Sequence, residues 1–162
     1  MTREQRILGA VLLGALMIGC SGPAEPPPGP PFRPISNIGE LMHDVVYPGA
    51  EIVWDAVGTI MTLEGTEEIQ PGNEDEWVAV IGGARTLMES GNLLMMDGRA
   101  KDQEAWMRRS LDLIEAAEKV LEAAEARDAQ TLFDRGELIY NACQGCHWEY
   151  RFEDDPNVIR SH

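Results

Sequence analysis

The chain has 162 residues, with 28 acidic against 13 basic side chains and a net charge of −15 at neutral pH. That balance argues against nucleic acid and anionic lipid as partners and is compatible with a protein partner that offers a basic docking face. Setting aside a leader and a proline-rich stretch leaves about 115 residues, enough for one domain with a single modest core.

Arg3 and Arg6 precede an uncharged run of twelve residues, Ile7 to Ile18, the pattern of an export signal. A membrane-spanning helix needs about twenty, so the run is too short to span. It ends in Leu16-Met17-Ile18-Gly19-Cys20, which resembles a bacterial lipobox, with Met17 where leucine is commonest. On that reading residues 1–19 are a signal peptide, and Cys20 is the lipidated first residue of a periplasmic protein anchored to a bacterial membrane. The alternative is an ordinary secretory peptide with a stray cysteine. Residues 20–35 form the linker, and the segment from Ser21 to Pro34 holds seven of the ten prolines. Such a composition favours extended polyproline II and would lift a domain about 40 Å from a membrane.

Four helices are expected from Ser36 to Phe152. The first, about Ser36 to Met61, has an apolar seam at Ile38, Met42, Val45, Gly49, Ile52 and Ala56, with a kink or break at Pro48. A loop from Glu64 leads to Pro71-Gly72-Asn73, where Asn73 can cap helix two with Glu76 three residues on. Its seam runs through Trp77, Val80, Ala84, Leu87, Gly91 and Leu94 and stops near Asp97-Gly98. Helix three repeats Trp106, Ser110, Leu113, Ala117, Val120 and Ala124 in steps of four and three. Asp128 can cap helix four, whose seam passes through Leu132, Gly136, Ile139 and Cys143 to Tyr150. No hairpin signal interrupts this pattern, and residues 153–162 read as a polar tail. Short connections favour antiparallel neighbours, so the expected fold is all-α, an up-down-up-down antiparallel four-helix bundle.

Helix four carries Cys143-Gln144-Gly145-Cys146-His147, the C-x-x-C-H attachment signature of a c-type haem. On a helix Cys143, Cys146, His147 and Tyr150 share one face, so one element could present both thiols and the imidazole. Two other readings compete. A redox dithiol would open a helix after a strand, whereas this motif closes a helical pattern. A closed zinc site wants four ligands, and the sequence holds no second C-x-x-C or H-x-x-x-H. With Cys20 lipidated and two cysteines on haem c, no structural disulfide is needed, which suits an oxidising compartment.

In the expected topology helix four ends where helix one starts, helix two ends and helix three starts. Met42, Leu94, Met95, Met96, Trp106 and Met107 should gather there around the haem, and Met61 should lie at the opposite pole. Met42, on the seam, is the leading sixth iron ligand. His43, about 100° round the helix, is its competitor. Met42 could equally be core filling, Met95 and Met96 pocket lining, and Trp106 a core aromatic stacked on the porphyrin edge. Trp148 and Glu149 face away from Cys146 and His147 and read as surface or interface residues.

A helical bundle ending in Cys143-Gln144-Gly145-Cys146-His147-Trp148-Glu149-Tyr150-Arg151 resembles a class II c-type cytochrome, the cytochrome c-prime family. The resemblance implies thioether bonds at Cys143 and Cys146, axial ligation by His147, and Arg151 close to the proximal side of the ring. Family members often carry a basic residue on helix one near the haem, but Ile35 to Met61 contains no Lys or Arg. The expected function is that of a membrane-tethered periplasmic monohaem carrier of one electron between redox proteins. A five-coordinate haem binding NO or CO, and a haem-free exported helical lipoprotein, are the alternatives. No catalytic constellation is legible, so an enzyme is not expected, and dimerisation is left open.

Overall fold

The computed structural model describes residues 32–151. The expected signal peptide, Cys20, most of the proline-rich linker and the tail 153–162 lie outside the described residues. Within them a first helical run comprises α1 (Ile38–Leu41), a π-helical turn (Met42–Val46) and α2 (Tyr47–Trp54). A hairpin of β1 (Gly58–Met61) and β2 (Thr66–Ile69) follows, then α3 (Glu74–Met95), α4 (Ala105–Glu125) and α5 (Ala129–Tyr150). The described residues are thus mostly helical, with four helical runs packed as a bundle and one small sheet. None of the helices is long and apolar enough to cross a membrane.

The starts of α1, α3 and α5 are fixed by N-cap side chains that satisfy N–H groups the helix cannot pair internally. Asn37 Oδ1 accepts the Glu40 N–H at 2.9 Å and the Glu40 carboxylate accepts the Asn37 N–H at 2.9 Å, a reciprocal capping box. Asn73 caps α3 by accepting the Glu76 N–H at 3.1 Å, while Glu76 turns back to accept the Gly72 N–H at 2.6 Å. Asp128 caps α5 through the Thr131 N–H at 2.9 Å. α3 stops where the sequence indicates, with Gly98 at φ 86° reversing the chain.

The first run differs from its expected form for a reason that lies in Pro48. Proline has no N–H to donate four residues back. The turn before it widens, and the Tyr47 N–H reaches the Met42 carbonyl five residues back. The extra residue rotates the apolar face. The buried residues are Leu41, Val46, Gly49, Ala50 and Val53, while the expected seam residue Ile52 is 44% exposed.

The helix also ends at Trp54, not near Met61. The chain from Gly58 forms an antiparallel hairpin in the register Gly58↔Ile69, Thr59↔Glu68, Ile60↔Glu67 and Met61↔Thr66. β-Branched Thr59, Ile60, Thr66 and Ile69 favour extended backbone. Gly65, at φ 153°, closes the turn, and its carbonyl accepts the Thr62 N–H at 2.8 Å. Met61 stands on this hairpin, 80% exposed.

All six seam residues of α3 and all six of α4 are buried. Glycines set the closest approaches. A Cβ on Gly83 would stand 2.9 Å from the Gly49 carbonyl oxygen, and one on Gly91 would meet Ile114 Cγ1 at 2.4 Å and the Ser110 carbonyl oxygen at 2.8 Å. The α5 seam is buried at Leu132, Gly136 and Ile139 and then opens, since Cys143, Cys146, His147 and Tyr150 are only partly covered. α5 meets the first run where the Trp54 indole N–H donates to the Gly136 carbonyl at 3.0 Å.

A pair of glycine substitutions on α3 separates helix propensity from packing. Gly91→Ala is expected to lose about 1–3 kcal/mol in urea unfolding, the usual effect of overpacking. Gly82→Ala, where a Cβ meets nothing within 4 Å, is expected to gain up to about 1 kcal/mol.

Candidate cofactor site at the open end of the bundle

Where the α5 seam opens, a cavity of about 790 Å³ lies between the first run and α5. That size falls in the range of about 300–1,000 Å³ typical of cofactor and ligand pockets. Cys143, His147, Tyr150 and Arg151 supply the α5 wall. Ile38, Met42, His43, Val46 and Ala50 supply the facing wall from the first run. Trp106, at the start of α4, and Lys101, in the loop before it, also line the cavity. A smaller void of about 20 Å³ shares Met42, Val46, Cys143 and His147 with it and adds Cys146, Leu94 and Arg109.

The motif face is thus split. Cys143, His147 and Tyr150 line the larger cavity, whereas Cys146 lines the small void beside it. Met42, His43, Trp106 and Arg151 all come to the larger cavity, so helical position alone does not separate Met42 from His43. His43 is nevertheless exposed, with Nδ1 2.6 Å from Asp44 Oδ1, while Met42 is partly buried. Of the residues expected to gather at this pole, Leu94 reaches only the small void, and Met95, Met96 and Met107 line neither space. Met95 sits one residue, about 100°, round α3 from the buried Leu94. The Met96 sulfur accepts from the Arg99 guanidinium at 3.4 Å.

Both thiols are free and partly buried. Burial pushes the Cys143 thiol up and the Cys146 thiol up to about 11, the Cys143 sulfur adding to the latter. They are therefore neutral near pH 7, the opposite of the depressed pKa of a reactive redox dithiol. Among the described residues no three His, Cys, Asp or Glu side chains come together as a metal-binding group, so a closed zinc site has no ligand set there. Burial, and then the Arg151 charge, lowers His147, which keeps the imidazole neutral and its lone pair available to a metal.

The wall around Tyr150 is tied down by groups that the motif does not reveal. Its hydroxyl donates to Asp102 Oδ2, and its ring meets Trp106 edge-on with centroids 4.9 Å apart. Asp102 Oδ1 accepts the Glu104 and Trp106 N–H groups at 2.8 and 3.0 Å, and the Trp106 indole N–H donates to the Leu94 carbonyl at 2.8 Å. Glu149, read from sequence as a surface or interface residue, is partly buried and accepts from Arg109 Nε at 3.1 Å. Trp148 is 51% exposed, as its position on the helix suggests. Lys101, Asp102 and Arg109 carry no motif; the Asp102 spacing to Trp106 is a capping signal that sequence reading could have used.

The Tyr150 hydrogen bond, then the Trp106 and Glu104 N–H groups, holds the Asp102 carboxyl below its usual range. A depressed carboxylate stabilises the fold above its unfolded pKa of about 4, and that contribution disappears as pH falls through the folded value. Asp102→Asn should therefore flatten the acid limb of the stability–pH curve below about pH 4. Urea unfolding at several pH values reads this directly, and parallel curves for the two proteins would contradict it.

No family model, curated protein or solved structure matches this chain.

Proposed function

We propose that the chain is a monohaem c-type cytochrome, similar to the cytochrome c-prime family, with an up-down-up-down antiparallel bundle holding one haem c against its last helix. The observation that carries the reading is the C-x-x-C-H run placed where the α5 seam opens on a cavity, with Cys143 and His147 on its wall. End-to-start contacts such as Gly91 against Ser110 and Ile114, and Arg109 with Glu149, support the antiparallel order.

In this reading Cys143 and Cys146 would hold the group covalently and His147 would bind its iron. Trp106 and Tyr150 wall one side, and Arg151 adds positive charge. Met42, in the π-helical turn, would be the candidate for a further iron ligand. A bound haem supplies a one-electron iron couple whose potential follows axial ligation, hydrogen bonding and burial. The cavity is also bordered by the exposed residues Tyr47, Tyr140 and Gln144, so a redox partner could approach its contents closely. The chain would carry one electron between periplasmic or membrane proteins, tethered through Cys20. It would not be an enzyme, and its acidic surface suits a basic docking face.

Gas binding is the second reading. Apolar Ile38, Val46 and Ala50 share the wall with Met42, and they would leave a coordination position open if Met42 served only to fill space.

Visible spectra with and without carbon monoxide, on protein made in a host competent for c-type maturation, separate these readings. A low-spin spectrum indifferent to carbon monoxide is expected, with Met42→Ala becoming high-spin and carbon monoxide-sensitive. A parent already high-spin and shifted by carbon monoxide would favour gas binding. Absence of bound haem would overturn both and leave a haem-free helical lipoprotein.

A further inference from the structure

The charge of the cavity runs against that of the chain. Acidic residues outnumber basic ones 28 to 13, yet among the described residues no Asp or Glu lines the cavity, while Lys101 and Arg151 both do. The first run, from Ile35 through Trp54, offers no permanent cation at all. Lys101 comes instead from the loop between α3 and α4, and that loop is pinned on both sides of it. On one side the buried Arg99 guanidinium donates to the carbonyls of Ser36 and Leu93, each at 3.2 Å. On the other side Asp102 spends both oxygens on Tyr150 and the first turn of α4. That carboxylate is therefore engaged elsewhere, and Lys101 itself makes no hydrogen bond or ion pair among the described residues.

We infer that the cavity takes an amphipathic anion, an apolar body bearing carboxylate, and that Lys101 is the residue that anchors the carboxylate. Aromatic and aliphatic side chains line the body of the site, and Lys101 and Arg151 bring the positive charge. The inference deepens the haem reading and rests on it in one respect: the carboxylates would be the two propionates of the porphyrin. A pinned loop can hold the base of a lysine while its flexible stem lets the ammonium reach an oxygen. The contact would be partly exposed and so modest, worth a few-fold in affinity and weakened by salt.

The test uses the full-length chain made without haem, titrated with protoporphyrin IX and with its dimethyl ester, which lacks the free carboxylates. The parent is expected to prefer the diacid by about three- to five-fold, the range for an exposed ion pair. Lys101→Gln should remove most of that preference and Lys101→Arg should keep it. Lys119→Gln, which deletes the same charge from α4 outside the cavity, should change nothing. A parent that binds diacid and ester equally, or a Lys101→Gln variant that keeps the preference, overturns the inference. In haem-loaded protein, Lys101→Gln should lower the reduction potential and Lys119→Gln should not; equal potentials count against the Lys101 anchor. The two proposals fail separately. An anion preference that depends on Lys101 in a chain that never acquires covalent haem sinks the haem reading alone, whereas covalent haem with no effect of Lys101→Gln in either assay sinks the anchor alone.

Discussion

Asp102 is the joint on which the open end of the bundle depends. One carboxylate satisfies two N–H groups at the start of α4 and accepts the hydroxyl of Tyr150, the last residue of α5. A short side chain that serves as a cap for one helix and an acceptor for another fixes the spacing of both helix ends. Trp106 completes the joint, since its indole donates to the end of α3 and its ring meets Tyr150 edge-on. Three helix termini converge on these residues, and with them in place Cys143 and His147 face the cavity rather than solvent or core.

The second constraint is what does not close. α3 and α4 pack along their whole seams, with Gly91 at the tight approach to Ser110 and Ile114. The first run and α5 meet through the Trp54 indole on Gly136, and a cavity lies between them on the side of the motif. Space left between two helices of a bundle is where such folds place cofactors. Motif and cavity coincide at one end of the molecule, and the haem proposal rests on that coincidence.

Long amphipathic helices were legible because their burial follows a 3.6-residue period. Every seam position of α3 and α4 is buried, and the Asn73 and Asp128 caps bind as their spacing indicates. The first run was legible only in part. Pro48 announces a disturbance, but the added residue of the π-helical turn moves the buried set to Leu41, Val46, Ala50 and Val53, which a fixed period cannot anticipate. The hairpin was missed because its four-residue strands are short and mostly exposed, with no Asn-Gly or Asp-Gly turn to announce them. At the candidate site, Met42, Trp106, Cys143, His147 and Arg151 line the cavity, whereas Met95, Met96 and Met107 do not. Lys101, Asp102 and Arg109 were not legible in the sequence, because their roles depend on which helix ends meet in space.

The central claim is covalent haem on Cys143 and Cys146, and the most direct measurement is the intact mass and visible absorbance of the denatured chain after production with c-type maturation machinery. The account predicts a mass raised by one haem with the colour retained by the unfolded polypeptide, both abolished in Cys143→Ser/Cys146→Ser. A colourless chain at the mass of the bare polypeptide would contradict it.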